Sequence, residues 1–235
     1  DEATITGTVS SANFTLNDGD DTITLDDLST LDISAVTIDG GTDSGGGGVN
    51  DTDVVNVTST VAGTIDTDNL DNFGILNLDS QGTDIDITLD GSDPDFHTAN
   101  LAGEADMVVA ATANLTLDVV GDTTDNDVDI ATGGVLTGDI NLGGGVDDIT
   151  LAAGATLAGN VDQGAGDESF TIGDLNTFTG TADGGAGTDS VVITDGLAGT
   201  DLDDIFTSYE NVTIGGAGDV YSINNAGASD IADID

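Results

Sequence analysis

The chain has 235 residues, 46 of them Asp or Glu and none Lys or Arg, which sets the formal net charge at −46 with His97 the single potential side-chain cation. The absence of Cys excludes disulfides, cysteine zinc sites and thiol catalysis, and the acidic field excludes nucleic acid and anionic membranes as direct partners. Disorder does not follow, because 37% of the residues are hydrophobic and they recur in short alternating triplets.

The chain opens on Asp1-Glu2 without a Met, the mark of a processed product or a fragment. Strand-like sequence begins at once, Ala3-Thr-Ile-Thr-Gly-Thr-Val9, with no amphipathic helix to cap it. The triplets Ile23/Leu25, Val36/Ile38, Val55/Val57 and Leu76/Leu78 then alternate as strands do. Residues 45–48, four successive Gly, read as an extruded loop, and Pro94 and His97 lie in a second irregular stretch. Irregular coils are therefore expected over residues 1–100 of a single elongated domain spanning 1–235.

A 21-residue period governs residues 101–219. One apolar column reads Met107, Val128, Ile149, Phe170, Val191, Val212; its partner two residues on reads Val109, Ile130, Leu151, Ile172, Ile193, Ile214. Leu136/Leu157/Phe178 and Gly138/Gly159/Gly180 repeat at the same interval. A unit this short holds strands and turns but no helix, and neither strand can bury its apolar face alone. Leu136-x-Gly138-x-Ile140 is expected as one strand, residues 141–148 as a turn, Ile149-x-Leu151 as a second strand and residues 152–156 as the closing turn. Stacked units predict an all-β parallel β-solenoid with coils of about 21 residues. A β-sandwich, the alternative, has no reason to keep a constant period. Residues 220–235 are expected as a tail or terminal strand.

The turns carry the chemistry. Residues 184–192, Gly-Gly-Ala-Gly-Thr-Asp-Ser-Val-Val, match the calcium nonapeptide GGxGxDxUx at every defined position. Related copies are Leu142-Gly-Gly-Gly-Val-Asp-Asp-Ile-Thr150, Gln163-Gly-Ala-Gly-Asp-Glu-Ser-Phe-Thr171 and, more weakly, Leu16-Asn-Asp-Gly-Asp-Asp-Thr-Ile-Thr24; Gly215-Gly-Ala-Gly-Asp219 is a truncated echo. Gly permits the tight turn and exposes carbonyls, Asp closes over an ion, and the apolar residue two places later anchors the loop. Four of the 46 acids are Glu and the other 42 are Asp, the shorter carboxylate suited to turns and calcium cages. The candidate ligands are Asp18, Asp20, Asp21, Asn141, Asp147, Asp148, Asp162, Asp167, Glu168, Asp183, Asp189 and Asp219.

The nonapeptides resemble those of the repeats-in-toxin proteins, secreted bacterial calcium binders. The longer phrase Leu157-Ala-Gly-Asn-Val-Asp-Gln-Gly-Ala-Gly166 and Tyr209-Glu-Asn-Val-Thr-Ile214 resemble repeats of β-solenoid adhesins, autotransporter passengers and bacterial surface-layer proteins. The family's ligands carry over to Asp189, then Asp147, Glu168 and Asp21. Family rolls place calcium at both turns of each coil; here residues 152–156 are acid-free, so calcium is expected along one edge only, bridging coils through Asp147, Glu168 and Asp189.

The resulting expectation is a secreted, extracellular, calcium-binding structural protein, not an enzyme, that self-assembles head-to-tail into a fibre, surface layer or matrix. The alternative is an adhesin stalk or binding module, or an ice binder displaying the outward threonines Thr24, Thr37, Thr88, Thr150, Thr171 and Thr213. Catalysis lacks a Lys or Cys nucleophile and has one His.

Overall fold

The computed structural model describes residues 2–7, 13–16, 19–31, 33, 37–41, 52–92, 95–196 and 201–215, with backbone alone for 231–234. The loop at residues 45–48 lies outside the described residues. Every pairing among the described strands is parallel, and neighbours in each sheet come from successive coils. This is a β-solenoid of about nine turns with about 21 residues per turn. A β-sandwich is thereby ruled out.

The regular coil has three strands rather than two. In one coil these are Val135–Thr137, Ile140–Asn141 and Asp148–Leu151. They belong respectively to a four-strand sheet, a ten-strand sheet and a nine-strand sheet, and each finds its neighbour 21 residues away. The expected single strand breaks at Gly138, where a Cβ would overlap the Leu117 carbonyl oxygen of the preceding coil, and Gly159 and Gly180 break the next two coils with the same close approach. The apolar alternation runs through this corner unbroken, so Leu136 and Ile140 both point inward from different sheets.

Inside, the columns stack on themselves: Leu136, Leu157 and Phe178 from one sheet, Ile140, Val161 and Ala182 from the second, Ile149, Phe170 and Val191 from the third, all buried. The core becomes aromatic toward the C-terminal coils, where Phe170 and Phe178 meet edge to face at 5.3 Å and Phe206 meets Tyr209 likewise at 5.8 Å. The N-terminal coils are less regular: Thr22 pairs with Val54, Val54 with Ile75 and Ile75 with Thr98, offsets of 32, 21 and 23 residues.

Close stacking at the turns depends on missing Cβ atoms. A Cβ on Gly166 would overlap the carbonyl oxygen of Gly145, and one on Gly187 would overlap that of Gly166. The preceding position is different. A Cβ on Gly144 would lie 3.3 Å from the Ala165 oxygen, and the equivalent residues one and two coils on are already Ala165 and Ala186. Gly166→Ala is therefore expected to cost on the order of 2–3 kcal/mol by overpacking, and Gly144→Ala less than about 0.5 kcal/mol. Thermal melts of the two variants in calcium check this; equal melting temperatures would contradict the close-approach role of Gly166.

Candidate metal edge

The three corners of the coil satisfy their backbone amides in different ways. At the corner after the nine-strand sheet, local turns close on themselves: Ala113 N–H donates to Ala110 O, Gly134 to Ala131 and Ala155 to Ala152, at 2.8–3.0 Å. No acid is needed there, and residues 152–156 contain none. At the corner between the ten-strand and nine-strand sheets, residues 142–148, the chain leaves the ladder and carboxylates take the place of carbonyls.

Three adjacent rows do this. In the outermost, Asp125 accepts from Val146 N at 2.7 Å and Asp167 from Thr188 N at 2.9 Å, each reaching to the following coil. In the next, the direction reverses: Asp147 accepts from Asn126 N at 2.7 Å, Asp189 from Glu168 N at 2.9 Å and Glu210 from Asp189 N at 2.8 Å. In the third, Asp106 accepts from Asp127 N and Asp127 from Asp148 N, at 2.9 and 2.7 Å. Six of these seven acceptors are Asp and the seventh is Glu210, so the carboxylates that span one coil are mostly the shorter kind.

The middle row differs in burial. Asp147 and Asp189 are 0% exposed and Glu168 1%. One oxygen of Asp147 and one of Asp189 hold the amides just named; the other oxygen of each, and both of Glu168, are buried with no hydrogen-bond partner. A buried carboxylate oxygen without a donor costs free energy, and several on successive coils repel one another. Burial pushes the Asp147 carboxyl up to about 7, with repulsion from Asp127, Asp125 and Asp122 adding to it. Burial likewise raises Glu168, which also faces the carboxyl of Asp189.

The turn glycines wrap this row. The Asp189 Oδ2 lies 3.0 Å from where a Cβ of Gly184 would sit, and the Cβ position of Gly166 is approached by both the Gly145 carbonyl oxygen and Glu168 Oε1. Carbonyl and carboxylate oxygens thus converge between coils, a donor set suited to a hard divalent cation. Among the described residues no three acidic or imidazole groups gather round one point, so the oxygens are set as pairs between coils rather than as a closed cage. The residues fit calcium by donor type and by their unmet charge.

The other expected ligands are placed as follows. Asp148 and Asp167 flank the row on its exposed side. Asn141, Asp162 and Asp183 point to solvent from the ten-strand sheet, stacked on one another and apart from the buried row. Asp21 is buried, but at the start of the ten-strand sheet, where its N–H donates to Asp53 Oδ1 at 2.5 Å; Asp20 is exposed and accepts from Thr52 Oγ1. Asp18 and Asp219 lie outside the described residues. Two members of the row escaped the sequence reading: Glu210, 21 residues beyond Asp189, and Asn126, 21 before Asp147. Extending the acidic column one step each way would have found both. The threonines divide: Thr24 is on the ten-strand sheet, while Thr88, Thr150, Thr171 and Thr213 share a row on the nine-strand sheet interrupted by Val108, Asp129 and Val192.

No family model, curated protein or solved structure matches this chain.

With metal removed, the raised carboxyls bind protons in the folded state that the unfolded chain, with carboxyl pKa values near 4, does not bind. The folded state then holds more protons than the unfolded between about pH 4 and pH 7, so stability falls as pH rises through that window. Melts in EDTA are expected to give a higher melting temperature at pH 5 than at pH 8, with a shallower slope in Asp147→Asn. Stability that rises with pH in EDTA would contradict the burial of unpaired carboxyls.

Proposed function

We propose that this chain is a secreted, extracellular structural protein whose coils are closed by calcium along the edge formed by Asp147, Glu168, Asp189 and Glu210, and which assembles head-to-tail into a fibre, layer or matrix. The observation that carries the reading is the row of buried, unpartnered carboxylate oxygens on successive coils in a sequence without Lys or Arg. No side chain of the chain except His97 can supply positive charge, and His97 is remote from the row, beside Thr98 on the ten-strand sheet. Protons neutralise the raised carboxyls below about pH 7, and above it an external cation is the remaining source of compensation. Bound calcium supplies charge neutralisation; the chain's own residues orient carboxylates by accepting amides from adjacent coils and exclude water by burying them.

An extracellular setting supports the reading because free calcium is abundant there and scarce in cytosol. Head-to-tail assembly is supported by the open geometry of a solenoid: the strand Glu2–Thr6 pairs through one edge with Thr22–Asp26, and its other edge has the hydrogen-bonding groups to accept a further parallel strand.

Calcium titration followed by circular dichroism, with metal content by mass spectrometry, tests the binding claim. Asp189→Ala is expected to weaken calcium-dependent folding at least 10-fold, while Asp129→Ala, exposed on the outer face of the nine-strand sheet, changes it less than twofold. Sedimentation with calcium and with EDTA tests assembly; a monomer at high protein and calcium concentration would contradict it while leaving calcium binding intact.

A further inference from the structure

In a chain without Lys or Arg, an uncharged stretch that carries side-chain amides runs along the outside of the ten-strand sheet. Its central row is Thr24, Asn56, Asn77, Asn100, Val120 and Asn141, one residue per coil. The adjacent row, Thr22, Val54, Ile75 and Thr98, is also uncharged over four coils. The three asparagines form a ladder: Asn77 Nδ2 donates to Asn56 Oδ1 and Asn100 Nδ2 to Asn77 Oδ1, both at 2.8 Å. Each ladder contact uses one N–H and one lone pair, so Asn77 retains a second N–H and a second lone pair directed away from the ladder. These groups line a groove of about 380 Å³ in which Asp79 is the one carboxylate.

From this groove we infer a binding site for a neutral, linear glycan lying along the solenoid axis. The rungs repeat at strand spacing, about 4.8 Å, a pitch on the scale of one sugar ring. Each rung presents a donor and an acceptor to hydroxyl groups, above a floor partly of Val57 and Leu78 backbone and Ala102 methyl. Net charge selects the ligand: polyanions would be repelled by −46 charges, and cations are drawn to the acidic edges instead. A polyhydroxylated uncharged chain meets no such penalty. No aromatic ring lines the groove, so affinity rests on hydrogen bonds and is expected in the millimolar range per short oligosaccharide, growing with polymer length. The site does not depend on the calcium edge and is tested with calcium saturating.

Native gel electrophoresis in gels containing hydroxyethylcellulose, laminarin or galactomannan, with hyaluronan as an anionic polymer and poly-L-proline as an uncharged peptide polymer, reads the binding. Retardation by at least one neutral glycan and none by hyaluronan is expected. Asn77→Asp should weaken it at least 10-fold, whereas Asn160→Asp, which adds the same charge at an exposed corner where Asn160 accepts from Thr181 N, should leave it within twofold. Circular dichroism confirms folding; should Asn77→Asp not fold, Asn100→Asp at the ladder's end takes its place. Absence of retardation by all three glycans, equal behaviour of the two variants, or retardation by poly-L-proline alone would overturn the proposal.

Discussion

Carboxylates stacked at strand spacing with no base to meet them are the constraint on which this molecule turns. Two unit charges about 4 Å apart repel by roughly 1 kcal/mol in water and by several times that at the lower effective dielectric of a protein surface. The fold accepts the repulsion because the same carboxylates do a job that carbonyls cannot at a sharp corner: they reach one coil up or down and hold backbone amides that have left the ladder. Charge-assisted bonds of this kind are among the stronger hydrogen bonds in proteins. Asp147 and Asp189 each use one oxygen in this way and leave the other buried without a donor, and Glu168 leaves both.

The contrast between corners shows what the acids are for. The Ala-rich corner closes each turn on itself and could be built in any chain. The Gly–Asp corner is wider, carries its amides across coils, and requires glycine where carbonyls of one coil press on the next. The third corner, after Gly138, lies between these: Asp139 N donates to Asp118 Oδ1, and Asn160 N to Asp139 Oδ1, but in solvent where the charge is hydrated. The acids that matter for a cation are thus a small buried subset of the 46.

The solenoid and the alignment of Asp147, Glu168 and Asp189 on successive coils were legible from the 21-residue columns because a constant offset between stacked coils forces identical neighbours into identical environments; that the row is buried was not. The corner at Gly138 was not legible: Leu136 and Ile140 alternate as one strand would, and a glycine that divides them leaves no mark in hydropathy. The N-terminal half resisted for another reason. Offsets of 32, 21 and 23 residues hide the Asn56–Asn77–Asn100 ladder from any fixed-period search, although its register in the sheet is as strict as elsewhere. The nonapeptide-like context of Asp21 precedes a strand of the ten-strand sheet, so Asp21 sits at a different corner from Asp147 despite the shared motif.

Amide hydrogen exchange, compared in calcium and in EDTA at neutral pH, addresses the central claim most directly. If external cations hold the carboxylate corner together, removing them should speed exchange at Asn126, Glu168, Thr188 and Asp189 first and by the largest factor, while Ala113, Gly134 and Ala155 at the acid-free corner lag behind. Identical protection at both corners with and without metal would show that the solenoid closes against its own charge unaided.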